Sequence, residues 1–137
     1  MSSPARSPLA ENRVMAFLAT RDGARARAFY ADTLGLRVLS DDGFALALDA
    51  GGTMLRIQKV DDFTPHPFTA LGWEVPDLQA TVGALALAGV TFQRYPGMDQ
   101  DARGIWRSPS GARIAWFKDP DGNTLSLSQL EPGSPQV

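Results

Sequence analysis

The chain has 137 residues, a formal net charge of −2 at pH 7, and 44% hydrophobic against 20% charged residues, which is typical of one globular domain. This charge argues against nucleic-acid binding, and no apolar stretch reaches the ~18 residues of a membrane span. There is no cysteine and one histidine, His66, which excludes disulfides, thiolate metal sites and sites needing two imidazoles from one chain. Without an apolar signal segment at the N-terminus, we expect a cytoplasmic protein.

The first half of the chain predicts one strand, one helix and three further strands. The short apolar segment 13–20 is typical of a buried strand. Asp22 is a good N-cap for a helix over 23–34, and Gly35 stands where a helix-terminating glycine belongs. The three further strands, separated by glycine-containing turns, are predicted over 36–40, 43–49 and 53–59. A proline-containing linker follows over 60–69.

The second half repeats this order. A strand over 70–75 precedes a helix over 78–89, which Asp77 caps and Gly89 ends. Further strands are predicted over 90–95, 112–118 and 123–130, whereas 97–109 is ambiguous. The Asp119-Pro120-Asp121-Gly122 sequence predicts a tight turn before the last strand.

The repeat predicts an α+β fold of two βαβββ modules. They would form a curved, mostly antiparallel eight-stranded sheet with a concave cleft and with helices outside. Module one covers 13–59 and module two 70–130, with flexible tails over 1–12 and 131–137. The alternative is an ordinary α+β domain whose halves resemble each other by chance.

Two segments, RDGARARAFYADTLGL at 21–36 and AWFKDPDGNTLSL at 115–127, resemble the vicinal oxygen chelate superfamily of glyoxalase I, bleomycin-resistance proteins and extradiol dioxygenases. The resemblance implies two βαβββ modules, often paired across a dimer, that form a U-shaped cleft. Metal-dependent members carry four ligands on the first and last strand of each module. Carried over by position, the four ligands fall on Met15, Arg56, Ala70 and Ser126. None is a usual metal ligand and one is a cation, so we expect neither metal nor other cofactor.

Strand alternation then predicts which side chains line the cleft. The candidate ligand-binding residues are Met15, Phe17, Met54, Arg56, Gln58, Glu74, Trp106, Ser126 and Ser128. Arg56 binds an anionic oxygen of a ligand, or points outward from its strand, or pairs with an internal glutamate. Glu74 is a weak candidate for a catalytic base, and otherwise lines the cleft mouth or pairs with Arg56 or Arg94. Trp106 either stacks on a planar ligand or is buried as an ordinary aromatic residue, and His66 is interpreted as a surface loop residue.

These residues favour a metal-independent small-molecule-binding protein of the glyoxalase/bleomycin-resistance type that forms a homodimer and holds a mostly apolar ligand in the cleft. The alternative is a glyoxalase-like lyase, isomerase or dioxygenase with a non-standard or absent metal site, in which Arg56 is the electrophile and Glu74 the base. A third possibility is a dimeric scaffold without a ligand. Neither nucleic acid nor membrane is expected as a partner.

Overall fold

The computed structural model of the chain describes residues 7–131. Its elements, in chain order, are β1 Met15–Thr20, α1 Gly23–Arg27, a π-helical segment Ala28–Thr33, β2 Arg37–Asp41, β3 Ala45–Ala50, β4 Thr53–Lys59, β5 Thr69–Glu74, α2 Leu78–Leu87, β6 Trp106–Arg107, β7 Arg113–Lys118 and β8 Thr124–Gln129. Of the predicted tails, 1–6 and 132–137 lie outside the described residues, and 7–12 form hydrogen-bonded turns before β1. No helix in the described part is long and apolar enough to cross a membrane.

The strands form two four-stranded sheets with the same internal order. The first sheet is ordered β1-β4-β3-β2 and the second β5-β8-β7-β6, which confirms the α+β fold with two βαβββ modules. In each sheet the first strand pairs parallel to the last strand of its module, and the other pairs are antiparallel. In the described chain the eight strands are divided between two four-stranded sheets, because β1 and β5 are edge strands that do not pair with each other.

Local capping signals are confirmed at both helices. The Asp22 carboxylate accepts a hydrogen bond from Arg25 N, and the Asp77 carboxylate accepts one from Ala80 N. The first helix nevertheless changes character after Arg27, where a bond from Leu34 N to Phe29 O spans five residues and widens the turn. The predicted single helix over 23–34 is therefore a short α-helix followed by a π-helical segment.

The second module differs from the prediction in its outer strand. The segment 90–95 was expected to be a strand, but it forms only an isolated bridge between Phe92 and Phe117. The Gln100 side chain takes over part of its hydrogen bonding, since it accepts from Tyr95 N and donates to Gln93 O. The ambiguous segment 97–109 instead supplies β6, which pairs with β7 through Trp106 and Ile114.

Both modules share one hydrophobic core between their sheets and helices. Its fully buried side chains come from both halves of the chain: Tyr30, Leu46, Leu48, Leu55, Ile57, Leu78, Val82, Phe117 and Leu125. The π-helical segment contributes Phe29, whose ring lies 6.3 Å from that of Phe117 in the other module. Because the core uses one face of each sheet, the opposite face of each sheet is left for other contacts.

A buried polar network fastens the 119–123 turn to the first module. Asp119 accepts hydrogen bonds from the Tyr30 hydroxyl at 2.6 Å and from Asn123, while Asp121 accepts one from the Thr20 hydroxyl at 2.6 Å. Asn123 also donates to the carbonyl of Ala19 at the end of β1. The network therefore sets the end of β1 against the start of β8, the two strands that carry candidate site residues.

Candidate functional site

The first sheet presents a face that points away from the core. The register pairs Met15 with Met54, Phe17 with Arg56, and Ala19 with Gln58, so these side chains share one side of the sheet. The alternating residues Leu18, Leu55 and Ile57 lie in the core. All five candidate residues from the first module thus lie together on this open face.

Three of these residues form an apolar surface that the single chain does not cover. Met15, Phe17 and Met54 are 44%, 53% and 36% exposed, and we call them the apolar shelf. On the neighbouring strand β3, Ala45 and Ala47 lie opposite Gln58 and Arg56 and are buried, and Asp49 lies opposite Met54. The three exposed side chains of the apolar shelf are therefore the part of this face that a bound molecule or another protein surface can contact.

Arg56 stands at the centre of this open face. It is half-buried, and among residues 7–131 no group lies within hydrogen-bond or ion-pair distance of its guanidinium. The nearby Asp42 accepts hydrogen bonds at Oδ1 from the backbone N–H groups of Ala45 and Phe44, which are the main cause that lowers the pKa of its carboxyl, and the charges of Arg56 and Lys59 contribute less. The guanidinium therefore has donors available for a ligand oxygen.

The open face of the second sheet carries the remaining candidates. Gly72 pairs with Ser126, and Glu74 pairs with Ser128. On the other side of β8, Trp116 pairs with Ser126 and Ile114 with Ser128. Gly72 leaves room for its neighbour, since a β-carbon at that position would lie 2.5 Å from Ser126 Oγ.

Aromatic side chains cover the outer part of this second face. The ring centroids of Trp106 and Trp116 are 6.0 Å apart, and Tyr95 meets Trp116 edge-on at 5.6 Å. We call these three half-buried residues the aromatic wall. The Trp116 indole N–H also donates to the hydroxyl of Thr69, the first residue of β5, at 3.2 Å. This hydrogen bond fixes the orientation of the indole ring.

Sequence reasoning singled out Trp106 but missed Trp116 and Tyr95 as candidate site residues. Alternation within 113–118 was the available signal, because it places Trp116 on the side opposite Ala115 and Phe117, which lie in the core. Trp73, by contrast, packs half-buried against the core, as its alternation with Gly72 and Glu74 predicts.

The two open faces approach each other at one end, where the linker passes. A cavity of about 310 Å³ is bounded by Phe17 and Gln58 of the first sheet, Ala70 and Thr124 of the second, and linker residues 63–66. His66 is exposed there and stacks on Phe68 at 5.0 Å. The other candidates, including Arg56, Glu74 and Trp106, do not line this cavity, so one chain does not bring all of them together.

Glu74 lacks the surroundings expected of a catalytic base. Its carboxylate is exposed at the end of β5, and it makes no hydrogen bond or ion pair within the described part of the chain. Arg94, a suggested partner, instead donates to the backbone carbonyls of Asp101 and Gln100. The single chain thus provides neither the burial nor the orienting partner that general-base catalysis requires.

The four positions that correspond to metal ligands do not fit a metal ion. Met15 and Arg56 lie diagonally across the β1–β4 pair, and Ala70 and Ser126 lie similarly across the β5–β8 pair. Their side chains offer one thioether, one permanent cation, one methyl group and one hydroxyl, a poor donor set for a divalent ion. Within residues 7–131, no group of three or more His, Cys, Asp or Glu residues is placed to hold a metal ion.

Comparison with known proteins identifies the family. The glyoxalase/bleomycin resistance protein/dioxygenase superfamily matches residues 12–127. The chain belongs to this superfamily. No curated protein matches it significantly.

Solved structures of this superfamily share the fold at low sequence identity. The bleomycin resistance determinant encoded on the transposon Tn5 is 24% identical, with a TM-score of 0.69 over 88% of this chain and 98% of that one. A bleomycin-binding protein complexed with bleomycin is also 24% identical, with a TM-score of 0.67 over 88% and 99%. A superfamily protein from Alicyclobacillus acidocaldarius is 19% identical, with a TM-score of 0.67 over 92% and 95%.

Proposed function

We propose that this superfamily member is a metal-independent small-molecule-binding protein. It holds a mostly apolar, planar ligand between the open face of the first sheet and the open face of the second sheet. The observation that carries the proposal is the combination of the apolar shelf, the aromatic wall and a guanidinium with no partner among residues 7–131, on surfaces that the core does not use. Apolar walls with one charged group are the usual composition of a small-molecule pocket. A structurally similar protein complexed with bleomycin supports a small organic ligand.

The proposed cleft is completed by a second copy of the chain. An exposed apolar shelf is unusual on a protein that works as a monomer. In addition, within residues 7–131, β1 and β5 each have one unpaired edge, which another chain can cover. In a twofold homodimer the open face of the first sheet in one protomer would meet the open face of the second sheet in its partner. Arg56 of one chain and the aromatic wall of the other would then enclose the same ligand.

Arg56 gives this ligand its polar requirement. The planar guanidinium would hold a carboxylate, phosphate or carbonyl oxygen through paired N–H donors, while the ring system of the ligand stacks on the aromatic wall. A charge-assisted contact of this kind is worth about 1.5–3 kcal/mol. The predicted ligand is therefore an aromatic molecule with one anionic or carbonyl oxygen.

Calorimetric titration of the best anionic aromatic compound from a thermal-shift screen tests the role of Arg56. Arg56→Met should weaken binding about 10- to 100-fold while the melting temperature stays the same. Arg56→Lys should restore only part of the affinity, because an ammonium group does not reproduce the planar pair of donors. Equal affinities for all three proteins would contradict the proposal.

The enzyme alternative has weaker support. It requires a base or a metal in the cleft, but Glu74 is exposed and the metal-ligand positions have an unsuitable donor set. A direct test is turnover of the hemithioacetal of methylglyoxal and glutathione with nickel or zinc supplied. We expect the rate of a heat-inactivated control, and turnover above it would favour the glyoxalase-like alternative.

A further inference from the structure

A separate cavity lies on the core side of the second sheet, where the two modules meet. Its volume is about 300 Å³. Phe117 and Leu127, both buried in the core, form its floor, and Trp73 and Leu85 form one wall. Leu34 and Leu36 of the first module form the opposite wall. We call this space the inter-module cavity; its lining contains none of the candidate residues of the open faces.

The chain turns beside this cavity after the first helix. Leu34 ends the π-helical segment through its bond to Phe29 O, and Gly35 follows in a left-handed conformation with φ of 78°. Leu34 and Leu36, on either side of this glycine, both line the cavity. Leu34, Leu36, Trp73 and Leu85 are each packed against the core on one side and remain half-exposed on the other.

The lining is apolar apart from the Thr81 hydroxyl and the Trp73 indole N–H. It contains no charged residue among the described ones, and its hydroxyl-bearing residue, Thr81, donates to Asp77 O at 2.9 Å. Enclosed apolar cavities of even smaller volume bind benzene-sized molecules. The chemistry thus differs from that of the open faces, where Arg56 offers free donors.

We infer that the inter-module cavity binds a small uncharged apolar molecule, such as a monocyclic aromatic compound or a short alkyl chain, independently of the open-face cleft. Burial of apolar surface is the driving force, so affinity should follow the size and apolarity of the ligand rather than its charge. This site would give the protein a second ligand class, distinct from the anionic aromatic ligand proposed for the cleft.

The tryptophan positions allow the two sites to be distinguished. Trp73 lines the inter-module cavity, whereas Trp106 and Trp116 belong to the aromatic wall, and the chain has three tryptophans in all. Bromobenzene, an uncharged quencher of indole fluorescence, is a suitable probe. We expect saturable quenching in the wild type and in the Trp106→Phe/Trp116→Phe double variant, but no saturable component in Trp73→Phe.

A filling variant and its matched control test the position of the ligand. Leu85→Phe adds volume inside the cavity and should weaken bromobenzene binding roughly 10-fold or more. Leu87→Phe makes the same change two positions later on α2, at a side chain that is 93% exposed and outside the lining, and should leave the affinity unchanged.

Three results would overturn the inference. Quenching that rises linearly in every variant would mean collision in solution only. Saturable quenching that persists in Trp73→Phe and disappears in the double variant would place the probe in the open-face cleft, which supports the proposed function but not this site. Quenching that appears only after dilution to a monomer would mean that a second copy occupies the cavity.

Discussion

Replacing Tyr30 with phenylalanine tests the polar network that joins the modules. The Tyr30 hydroxyl donates to Asp119 Oδ2 at 2.6 Å, and a hydrogen bond to a charged group contributes about 1.5–3 kcal/mol. Asp119 would keep the Asn123 amide on the same oxygen and the backbone N–H groups of Asp121 and Asn123 on the other. Because three donors remain, we expect Tyr30→Phe to lower the free energy of unfolding by about 1.5–2 kcal/mol at pH 7.

The same substitution should change the pH dependence of stability. Burial, followed by the charge and hydrogen bond of Asp119, raises the pKa of Tyr30 well above its usual 10.0. Above pH 10 the unfolded chain loses this proton and the folded chain keeps it, so wild-type stability falls by about 1.4 kcal/mol per pH unit. Phenylalanine has no proton to lose, and the advantage of the wild type over Tyr30→Phe should therefore shrink to less than about 1 kcal/mol at pH 11.

Urea unfolding of both proteins at pH 7, 9 and 11 measures these differences. Tyr95→Phe is the matched control at pH 7, since the Tyr95 ring meets Trp116 edge-on and no hydrogen bond of its hydroxyl is found among the described residues; it should change stability there by less than about 0.5 kcal/mol. Equal stabilities of wild type and Tyr30→Phe at pH 7 would refute the hydrogen bond. A difference that stays constant up to pH 11 would refute the linkage to the Tyr30 proton.

Three further predictions follow from the site. EDTA, or added zinc or nickel, should leave the melting temperature unchanged, because Met15, Arg56, Ala70 and Ser126 are poor ligands; a metal-dependent shift would revive the metalloenzyme hypothesis. Light scattering of the wild type at micromolar concentration should give twice the 14.7 kDa chain mass, and the Phe17→Asp variant should give the monomer mass. A monomeric wild type would contradict the shared cleft. Gly72→Ala should destabilise the fold by about 1 kcal/mol, because the new β-carbon meets Ser126 Oγ. Adding Ser126→Ala to the same chain should restore most of this loss, whereas additive effects of the two substitutions would show that the two side chains do not meet.

The first-module half of the candidate site could be predicted from the alternation of side chains along the strands alone. The spacing of Met15 and Phe17 on β1, and of Met54 and Arg56 on β4, predicted the shared face that the parallel register shows. Exposure could not be predicted in the same way, since it depends on which surfaces pack together. Glu74 is an example: its position on β5 agrees with the prediction, but the side chain is exposed.

The aromatic wall shows why the rest of the site needed the tertiary structure. Tyr95, Trp106 and Trp116 come from an irregular segment, a two-residue strand and a regular strand, and no single period relates them. They meet because Gln100 holds the irregular segment and β6 pairs with β7. Contacts of this kind depend on loop geometry, which a hydrophobic pattern does not encode.

The sequence by itself determined the local features of this protein: the capped helices, the glycines that end them, the tight turn at 119–122 and the inner and outer sides of most strands. These depend on interactions between residues close in the chain, so residue type and spacing are sufficient to predict them. Only the tertiary structure decided that β1 and β5 remain separate edges, that Tyr30 bonds to Asp119, 89 positions away, and that a cavity remains between the modules. Those features depend on how two similar modules pack, and many packings are compatible with the same local pattern.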